Sequence, residues 1–307
     1  MNYPLLVVSA PIAAAAAIIL MRRERISGHI ALIGVVISGL LAVFMLELAV
    51  KGSVTHTTLS AFGIAGSSVK LQLRADALGA TMAMLVSGIA IPVFAYSIAY
   101  MRDEEDKTRF FTILSLFAGA MLALVLAGDY LTLYASWEIV GFCSYLLIGQ
   151  YTHQEDAAKA SFKAFLTTRI GDLGLLLGIA LLFAHLGSVS FSTVFQTAQS
   201  GHHPSILTPA AFLILIGALG KSAQFPFHVW LPDAMAGPTP VSALLHSATM
   251  VAAGIFLIAR SWPLFLAAPA ALHLLLVLTT ATALFAALTA CAQHCSCPRS
   301  PAFVSCR

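Results

Sequence analysis

The chain has 307 residues, of which 59% are hydrophobic and only 9% are charged, so it cannot cover itself with a water-soluble surface. Its net charge of +3 is small and scattered, and without a basic stripe it does not fit a nucleic-acid partner. The composition therefore predicts an all-α polytopic membrane protein in contact with a lipid bilayer.

Apolar runs long enough to cross about 30 Å of hydrocarbon predict about nine transmembrane helices. The first run has arginines after its apolar residues and none before them, which is the reverse of a secretory signal. We therefore expect a first membrane span rather than a cleaved leader. The predicted spans lie near 3–21, 29–50, 77–101, 110–128, 130–150, 162–186, 209–225, 240–260 and 263–290.

Basic residues are concentrated on one predicted side of the membrane. The segments after the odd-numbered spans carry Arg22, Arg23, Arg25, Arg102, Lys107, Arg109, Lys159 and Lys163. The segments after the even-numbered spans carry Lys51, Lys70, Arg74 and Arg260. The positive-inside rule therefore predicts an amino terminus outside the cytoplasm.

Glu138 lies in YLTLYASWEIVGFCSYLLIGQ, eight residues into the fifth predicted span. A charge at the middle of a membrane helix costs about 2.5 to 3.5 kcal/mol on insertion scales, so it requires a partner or an aqueous cavity. Tyr134 and Tyr145 share its helix face and indicate a polar stripe directed toward protein. We interpret Glu138 as functional. A neutral carboxyl group that only packs against a neighbouring helix is the alternative.

Lys221 lies near the end of the seventh apolar run, beside the small residue Gly220. Pro226 removes a backbone N–H and clashes with the preceding turn, so the seventh helix is predicted to break there. Pro232 extends the irregular stretch. Irregular backbone at membrane depth requires protein or water around it, which indicates a cavity on an ion route. A lysine that snorkels from a span end, followed by a surface loop, is the alternative.

His246 falls six residues into the eighth predicted span. Its ordinary pKa of about 6.5 suits a side chain that takes up and releases protons near neutral pH, so we interpret it as a relay. A hydrogen-bonded core histidine and a haem ligand are the alternatives. His185, His228 and His273 lie at scattered depths near helix ends, which disfavours a facing pair of haem ligands.

The sixth span opens with AAKASFKAFLTTRIGDLG, which places Lys163, Arg169 and Asp172 near a membrane boundary. Arg169 and Asp172 are three residues apart and can pair along the helix. Two interpretations are open: these charges neutralise one another at the membrane interface, or they take part in proton access.

A carboxylate about 4 Å from an ammonium group stabilises the charged lysine by about 4 kcal/mol at an effective dielectric constant near 20. We therefore predict that Glu138 pairs with Lys221, and that separating them passes the proton toward His246. The sequence shows no hydride-transfer, nucleotide or iron–sulfur motif. We expect the driving reaction, and every cofactor, to lie in other chains.

The carboxyl-terminal segment 291–307 differs in composition from the rest. It reads CAQHCSCPRSPAFVSCR, and its Cys-x-Cys spacing is tighter than structural zinc sites use. We therefore expect no metal site from His294, Cys295, Cys297 and Cys306, and predict a disordered or aberrant tail.

Three stretches resemble the antiporter-like subunits of respiratory complex I, and most closely the subunit L (mitochondrial subunit 5) type. They are SWEIVGFCSYLLIGQY, KAFLTTRIGDLG and GKSAQFPFHVWLPDAMAGPTPVSALLHSATMVAAGIFLIAR, within a resemblance that runs from about residue 70 to 292. The resemblance implies that a glutamate pairs with a lysine beside a broken helix and that a polar residue leads onward. These positions correspond to Glu138, Lys221 and His246.

The same resemblance implies a proton-translocating membrane-arm subunit of NADH-quinone oxidoreductase in a bacterial inner membrane. It places NADH, FMN, iron–sulfur clusters and quinone in partner subunits, and implies a neighbouring antiporter-like subunit. A subunit of an Mrp-type cation/proton antiporter and a non-pumping structural subunit are the alternatives.

Family members continue with a second, inverted helical unit, whereas the similarity here stops near Gln293. We expect a truncated or frameshifted product that holds one half-channel. The expected division is 1–105 for amino-terminal helices, 106–262 for a first antiporter-like repeat and 263–290 for the start of the next unit.

Overall fold

The computed structural model describes residues 2–64, 67–104, 106–200 and 204–292. Within this part of the chain, eight helices are long and apolar enough to cross a membrane, and a shorter apolar helix covers Ser205–Lys221. The prediction of an all-α polytopic membrane protein is confirmed, and each predicted span has a helical counterpart. The proposed division of the bundle into repeats stays a prediction.

The elements follow one another with short connections. The first half contains α1 (Tyr3–Met21), α2 (Glu24–Val50), β1 (Thr55–Ile64), β2 (Ser67–Ala75), α3 (Ala77–Tyr100), α4 (Lys107–Val125), α5 (Tyr130–Ile148) and α6 (Glu155–Leu186). The second half contains α7 (Phe191–Gln199), α8 (Pro204–Lys221), α9 (Thr239–Ser242), α10 (Met250–Arg260), α11 (Trp262–Leu266) and α12 (Pro269–Ala292). Two 3₁₀ turns, Phe227–Trp230 and Asp233–Ala236, precede α9, and a π-helical turn, Ala243–Ala248, follows it.

The hairpin β1–β2 is not among the elements predicted from the sequence. Its second strand continues into backbone hydrogen bonds with the loop after α4: Arg74 N–H donates to Leu126 (2.6 Å) and Gly128 N–H donates to Gln72 (2.8 Å). The alternation of apolar and polar residues in VKLQLRA is the signal that predicts such a strand.

Asp129 fixes the hairpin to the start of α5. Its carboxylate accepts hydrogen bonds from the N–H groups of Thr132 (2.7 Å) and Gln72 (2.8 Å), so it caps the helix and holds β2 at the same time. Burial raises the pKa of Asp129 in spite of these hydrogen bonds. We call this end of the bundle the hairpin face.

Asp76 ties the same face to the end of α10. It caps α3 through Gly79 N–H (2.9 Å) and forms an ion pair with Arg260. Burial acts to raise the pKa of Asp76, but the Arg260 hydrogen bond and charge, with Gly79 N–H and Arg74, outweigh it and leave the pKa below its ordinary value.

The break in the helix that carries Lys221 is confirmed, and it lies one turn earlier than the predicted end near 225. Ala223 has a left-handed backbone (φ 50°), and Gln224 N–H donates back to Leu219 (3.0 Å). A left-handed residue followed by a hydrogen bond back into the last turn is a common way for an α-helix to end. Pro226 lies beyond the break, and Pro232 lies between the two 3₁₀ turns.

Small residues bring α10 against the end of α8. A Cβ atom at Gly254 would lie 2.2 Å from Ser222 Oγ and 2.4 Å from the carbonyl oxygen of Ala218. Because one of these atoms belongs to the backbone, the two helices can be this close only while residue 254 is glycine.

We predict that Gly254→Ala lowers the melting temperature of the protein in lipid nanodiscs, because α10 has to move away from α8. The matched control is Gly88→Ala in α3, where a Cβ atom meets nothing within 4 Å. Alanine favours helix over glycine by up to about 1 kcal/mol, so the control is expected to melt at the same or a higher temperature. Equal effects of the two changes would contradict this packing.

Candidate functional site

Lys221 is the last residue of α8 and is completely buried. Its Nζ lies 3.4 Å from Oδ2 of Asp172 in α6, and Asp172 is likewise buried. The second oxygen, Oδ1, accepts a hydrogen bond from Trp137 Nε1 at 2.5 Å. The carboxylate therefore faces a cation on one side and an indole donor on the other. Lys221 Nζ and Asp172 Oδ2 are nevertheless buried without a hydrogen-bond partner among the described residues, so the pair rests on charge attraction across 3.4 Å.

Glu138 forms a second ion pair, with Arg169 of α6. About a quarter of each side chain is exposed, so this pair lies nearer the edge of the bundle than the first. The Arg169 guanidinium also lies 4.6 Å from the ring centre of Phe165. The other carboxylate oxygen of Glu138 is buried without a hydrogen-bond partner among the described residues.

The predicted pair between Glu138 and Lys221 is wrong as a contact in this structure. Arg169 and Asp172, whose spacing leaves a pairing along α6 open, do not pair with each other among the described residues. Among the ion pairs of the described residues, each α6 charge instead reaches a different helix. Arg169 pairs toward α5 and Asp172 pairs toward α8. The four charges thus form two neighbouring bridges rather than one central pair.

The physical reason is the close approach of α6 and α8. A Cβ atom at Gly171 would lie 3.1 Å from Gly220 Cα, so the two backbones almost touch. Asp172 and Lys221 each directly follow one of these glycines, which makes Asp172 the carboxylate placed against the lysine. In the sequence, a glycine directly before each of the two charged residues is the signal that indicates this pair: Gly171 before Asp172 and Gly220 before Lys221.

A glycine in α5 provides space for the lysine. A Cβ atom at Gly141 would lie 2.6 Å from Lys221 Nζ and 4.0 Å from Asp172 Oδ2. The ammonium group therefore rests against the bare backbone of α5, three residues after Glu138. This arrangement brings both ion pairs to the same stretch of α5.

The chain beyond Lys221 is held by side chains rather than by continued helix. Trp230 is buried and its Nε1 donates to the carbonyl oxygen of Gly220 (3.0 Å), while Ser222 Oγ donates to the carbonyl oxygen of Val251 (2.8 Å). The first bond satisfies a carbonyl group that the break leaves free, and the second ties the residue after Lys221 to α10.

His246 lies within the π-helical turn. Both of its ring nitrogens are buried without a hydrogen-bond partner in the described part of the chain, and its ring centre is 5.9 Å from that of Trp230. Single π turns inside helices are frequent at functional sites. Trp230 therefore lies between the end of α8 and this histidine, in contact with both.

Lys163 forms an ion pair separate from those of Arg169 and Asp172, the two charges that follow it along α6. Its Nζ lies 2.5 Å from Oδ2 of Asp233 in the second 3₁₀ turn, and nearly half of each side chain is exposed. This pair attaches the segment after the break to the start of α6. Of the three charges predicted at a membrane boundary, Lys163 alone remains in an exposed position, whereas Asp172 is buried at the centre of the site.

The described residues contain no group of three or more His, Cys, Asp or Glu side chains arranged to hold a metal ion. Cys143 is buried and Cys291 is exposed, and both are free thiols. The residues predicted not to bind zinc, from His294 onward, lie outside the described residues, so the expectations for the tail stay predictions.

Two family profiles match the chain. The profile described as "NADH:quinone oxidoreductase/Mrp antiporter, TM" covers residues 127–296. The profile described as "NADH-Ubiquinone oxidoreductase (complex I), chain 5 N-terminus" covers residues 62–111. The first profile contains both ion pairs, the helix break and the π-helical turn.

Individual relatives agree with these profiles. The chain is 46% identical over 263 residues to NAD(P)H-quinone oxidoreductase subunit 5, organellar chromatophore 1, of Paulinella chromatophora, covering 84% of this chain and 40% of that protein. It is 45% identical over 228 residues to NADH-quinone oxidoreductase subunit L of Mycobacterium tuberculosis, covering 74% of this chain and 36% of that protein. The chain thus spans two fifths or less of these relatives.

Two solved structures have similar folds. The Mrp complex from Dietzia sp. DQ12-45-1b aligns with a TM-score of 0.73 and 33% identity, over 85% of this chain and 28% of that one. The membrane-bound sulfane sulfur reductase, an archaeal respiratory membrane complex, aligns with a TM-score of 0.84 over 94% of this chain and 60% of that one. At 20% identity, the second likeness concerns the fold alone.

We predict that Lys221 is energetically coupled to Asp172 more strongly than to Glu138. Asp172→Asn alone is expected to lower the free energy of unfolding by about 3 to 5 kcal/mol, because it leaves a buried ammonium group without its anion. Adding Lys221→Met is expected to recover much of that loss.

The measurement is a pair of double-mutant cycles on thermal stability in nanodiscs, one with Asp172→Asn and Lys221→Met and one with Glu138→Gln and Lys221→Met. Directly paired residues show coupling of about 0.5 to 3 kcal/mol. A larger coupling in the Glu138 cycle than in the Asp172 cycle would contradict the observed pairing.

Proposed function

Because the chain belongs to the NADH:quinone oxidoreductase/Mrp antiporter family, we propose that it carries protons as an antiporter-like membrane-arm subunit of an NADH-quinone oxidoreductase. The observation that carries this proposal is the Lys221–Asp172 pair, which is fully buried beside an interrupted helix. Ionisable groups inside a membrane bundle are costly and mark ion pathways more often than they serve packing.

Lys221 is the proposed proton carrier. Burial favours the neutral amine, while a nearby carboxylate favours the ammonium form. In this proposal Asp172 supplies that carboxylate, and its approach to the amine favours uptake of a proton. Moving Asp172 away removes that help against burial, and the lysine then releases its proton.

Glu138 and Arg169 are the proposed control on this step. Arg169 and Asp172 are three residues apart on α6, so they can pair with each other if Arg169 leaves Glu138. That exchange withdraws Asp172 from Lys221. The two ion pairs then act as a switch in which a change at the edge of the bundle alters the proton affinity at its centre.

His246 is the proposed next acceptor. Its imidazole has two unpartnered nitrogens among the described residues, and Trp230 connects its surroundings to the end of α8. Water between the amine and the imidazole is required for transfer, and the irregular stretch after Lys221 offers the space where the helical ladder is interrupted.

The energy for pumping comes from other subunits in this proposal. The relatives are named as subunits of NAD(P)H-quinone and NADH-quinone oxidoreductases, and we place NADH, FMN, iron–sulfur clusters and quinone in the partner chains. Here the chain is a non-redox part of a translocase, in contact with a neighbouring antiporter-like subunit.

We predict that Lys221→Met in the intact complex lowers proton pumping by about tenfold or more, because methionine preserves the side-chain bulk but cannot carry a proton. Pumping is measured as quinone-dependent acidification of inverted vesicles. Oxidation of NADH by a soluble artificial acceptor, which bypasses the membrane arm, is expected to stay unchanged.

Lys159→Met is the matched control, because Lys159 pairs with Glu155 at the exposed start of α6. Unchanged pumping is expected for this variant. If Lys221→Met pumps as well as Lys159→Met in a normally assembled complex, the chain is a structural subunit and the proposal is wrong.

A cation/proton antiporter subunit is the second candidate, and the likeness to the Mrp complex at 33% identity favours it specifically. It predicts that loss of the chain makes growth sensitive to sodium or lithium at alkaline pH, while quinone-coupled pumping continues. The main proposal predicts that loss of the chain stops quinone-coupled pumping and leaves growth in sodium or lithium unchanged.

The amino terminus is proposed to lie outside the cytoplasm, with the hairpin face on the same side. The basic residues near the other ends of the helices support this, since Arg22, Arg23, Arg102 and Lys107 all lie opposite the hairpin.

We predict that a cysteine introduced at Ser53, next to the hairpin, reacts with an impermeant maleimide in intact cells. A cysteine at Thr152, between α5 and α6, is expected to react only after the cells are opened. Both positions are exposed, and both changes are made in a cysteine-free background. The opposite labelling pattern would place the amino terminus in the cytoplasm and contradict the proposed topology.

A further inference from the structure

A cavity of about 920 Å³ opens between α2, α3 and α4 at the end of the bundle opposite the hairpin. Three arginine and lysine side chains line it: Arg25 at the start of α2, Arg102 after α3, and Lys107 at the start of α4. Glu24 is its one carboxylate among the described lining residues, so cations outnumber anions at its rim.

These cations have little competition from the protein. Lys107 Nζ donates to the carbonyl oxygen of Arg102, but no ion pair joins Arg25, Arg102 or Lys107 to a carboxylate in the described part of the chain. The described acidic side chains of the neighbouring loop, Asp103, Glu104 and Asp106, line a different cavity.

The floor of the cavity is apolar. One turn below Arg102 lies Ile98, and one turn below Lys107 lies Phe111. A Cβ atom at Gly28 would lie 2.8 Å from Ile98 and 2.9 Å from Phe111, so this glycine lets the three helices close beneath the rim. The carboxyl end of α3, with the residues that follow it, and the amino end of α4 therefore each provide a cation at the mouth and a large apolar side chain below it.

We propose that this cavity binds the phosphodiester headgroup of an anionic phospholipid. Arginine and lysine side chains recognise phosphate oxygens through charge-assisted hydrogen bonds, and basic pockets between membrane helices bind lipid headgroups. The gradient from a basic rim to an apolar floor matches a lipid, whose phosphate is attached to hydrocarbon, better than it matches a free anion.

The position along the helices agrees with this ligand. Tyr96 and Tyr100 form an aromatic pair with ring centres 5.7 Å apart in the last turns of α3, and tyrosines at helix ends mark the headgroup level of a membrane. The bound lipid would fix the ends of three helices that surround the amino-terminal part of the bundle.

The test uses the full chain purified into phosphatidylcholine nanodiscs, with phosphatidylglycerol as the probe and bound lipid counted by native mass spectrometry. Arg25→Gln with Arg102→Gln is expected to weaken phosphatidylglycerol binding by about tenfold or more. The matched control is Arg22→Gln with Arg23→Gln, which removes the same charge from the same face without touching the cavity and is expected to cost at most about threefold.

Arg25→Lys with Arg102→Lys is expected to restore most of the binding, and this variant separates lost charge from lost folding. The single change Arg102→Gln, in an exposed loop, provides an independent reading if the double variant does not assemble.

Equal losses in the Gln variant and the Arg22/Arg23 control would overturn the proposal in favour of diffuse surface attraction. Full displacement by millimolar inorganic phosphate would assign the cavity to a soluble anion instead. A change in oligomeric state without a change in lipid binding would assign it to a protein contact.

Discussion

The contact on which the site depends is that between the buried ammonium group of Lys221 and the carboxylate of Asp172. Neither charge is stable alone in this environment, because each loses the solvation of water. The surrounding structure supports the pair, since Trp137 donates to the carboxylate and Gly141 leaves space for the amine. The rest of the proposed relay follows from altering this one contact.

The interrupted helix makes such an alteration possible. A continuous helix beyond Lys221 would fix the backbone around the amine, whereas the observed chain turns at Ala223 and is held through Trp230 and Ser222. Side-chain hydrogen bonds of this kind are worth about 0.5 to 1.5 kcal/mol each, so they can exchange during a functional cycle. The hairpin and the Asp76–Arg260 pair, by contrast, fasten the other end of the bundle.

The spans, the break and the charged residues are predictable from the sequence because each leaves a local pattern: an apolar run, a proline or an isolated charge. The partner of Lys221 is not predictable in this way, because it depends on how closely two helices approach and on which side each residue faces. Gly171 and Gly220 set that approach, and their meaning is visible only once α6 and α8 are placed together. The hairpin was missed for a different reason, since a search for long apolar runs passes over the short alternation of β2.

The central claim concerns which carboxylate stabilises the buried ammonium, and a high-resolution cryo-electron microscopy map of the intact complex tests it most directly. Our account predicts density that places the Lys221 amine against Asp172, with Glu138 directed to Arg169, in the state that holds the proton. A map in which the amine contacts Glu138 while Asp172 turns toward Arg169, in every state observed, would contradict it.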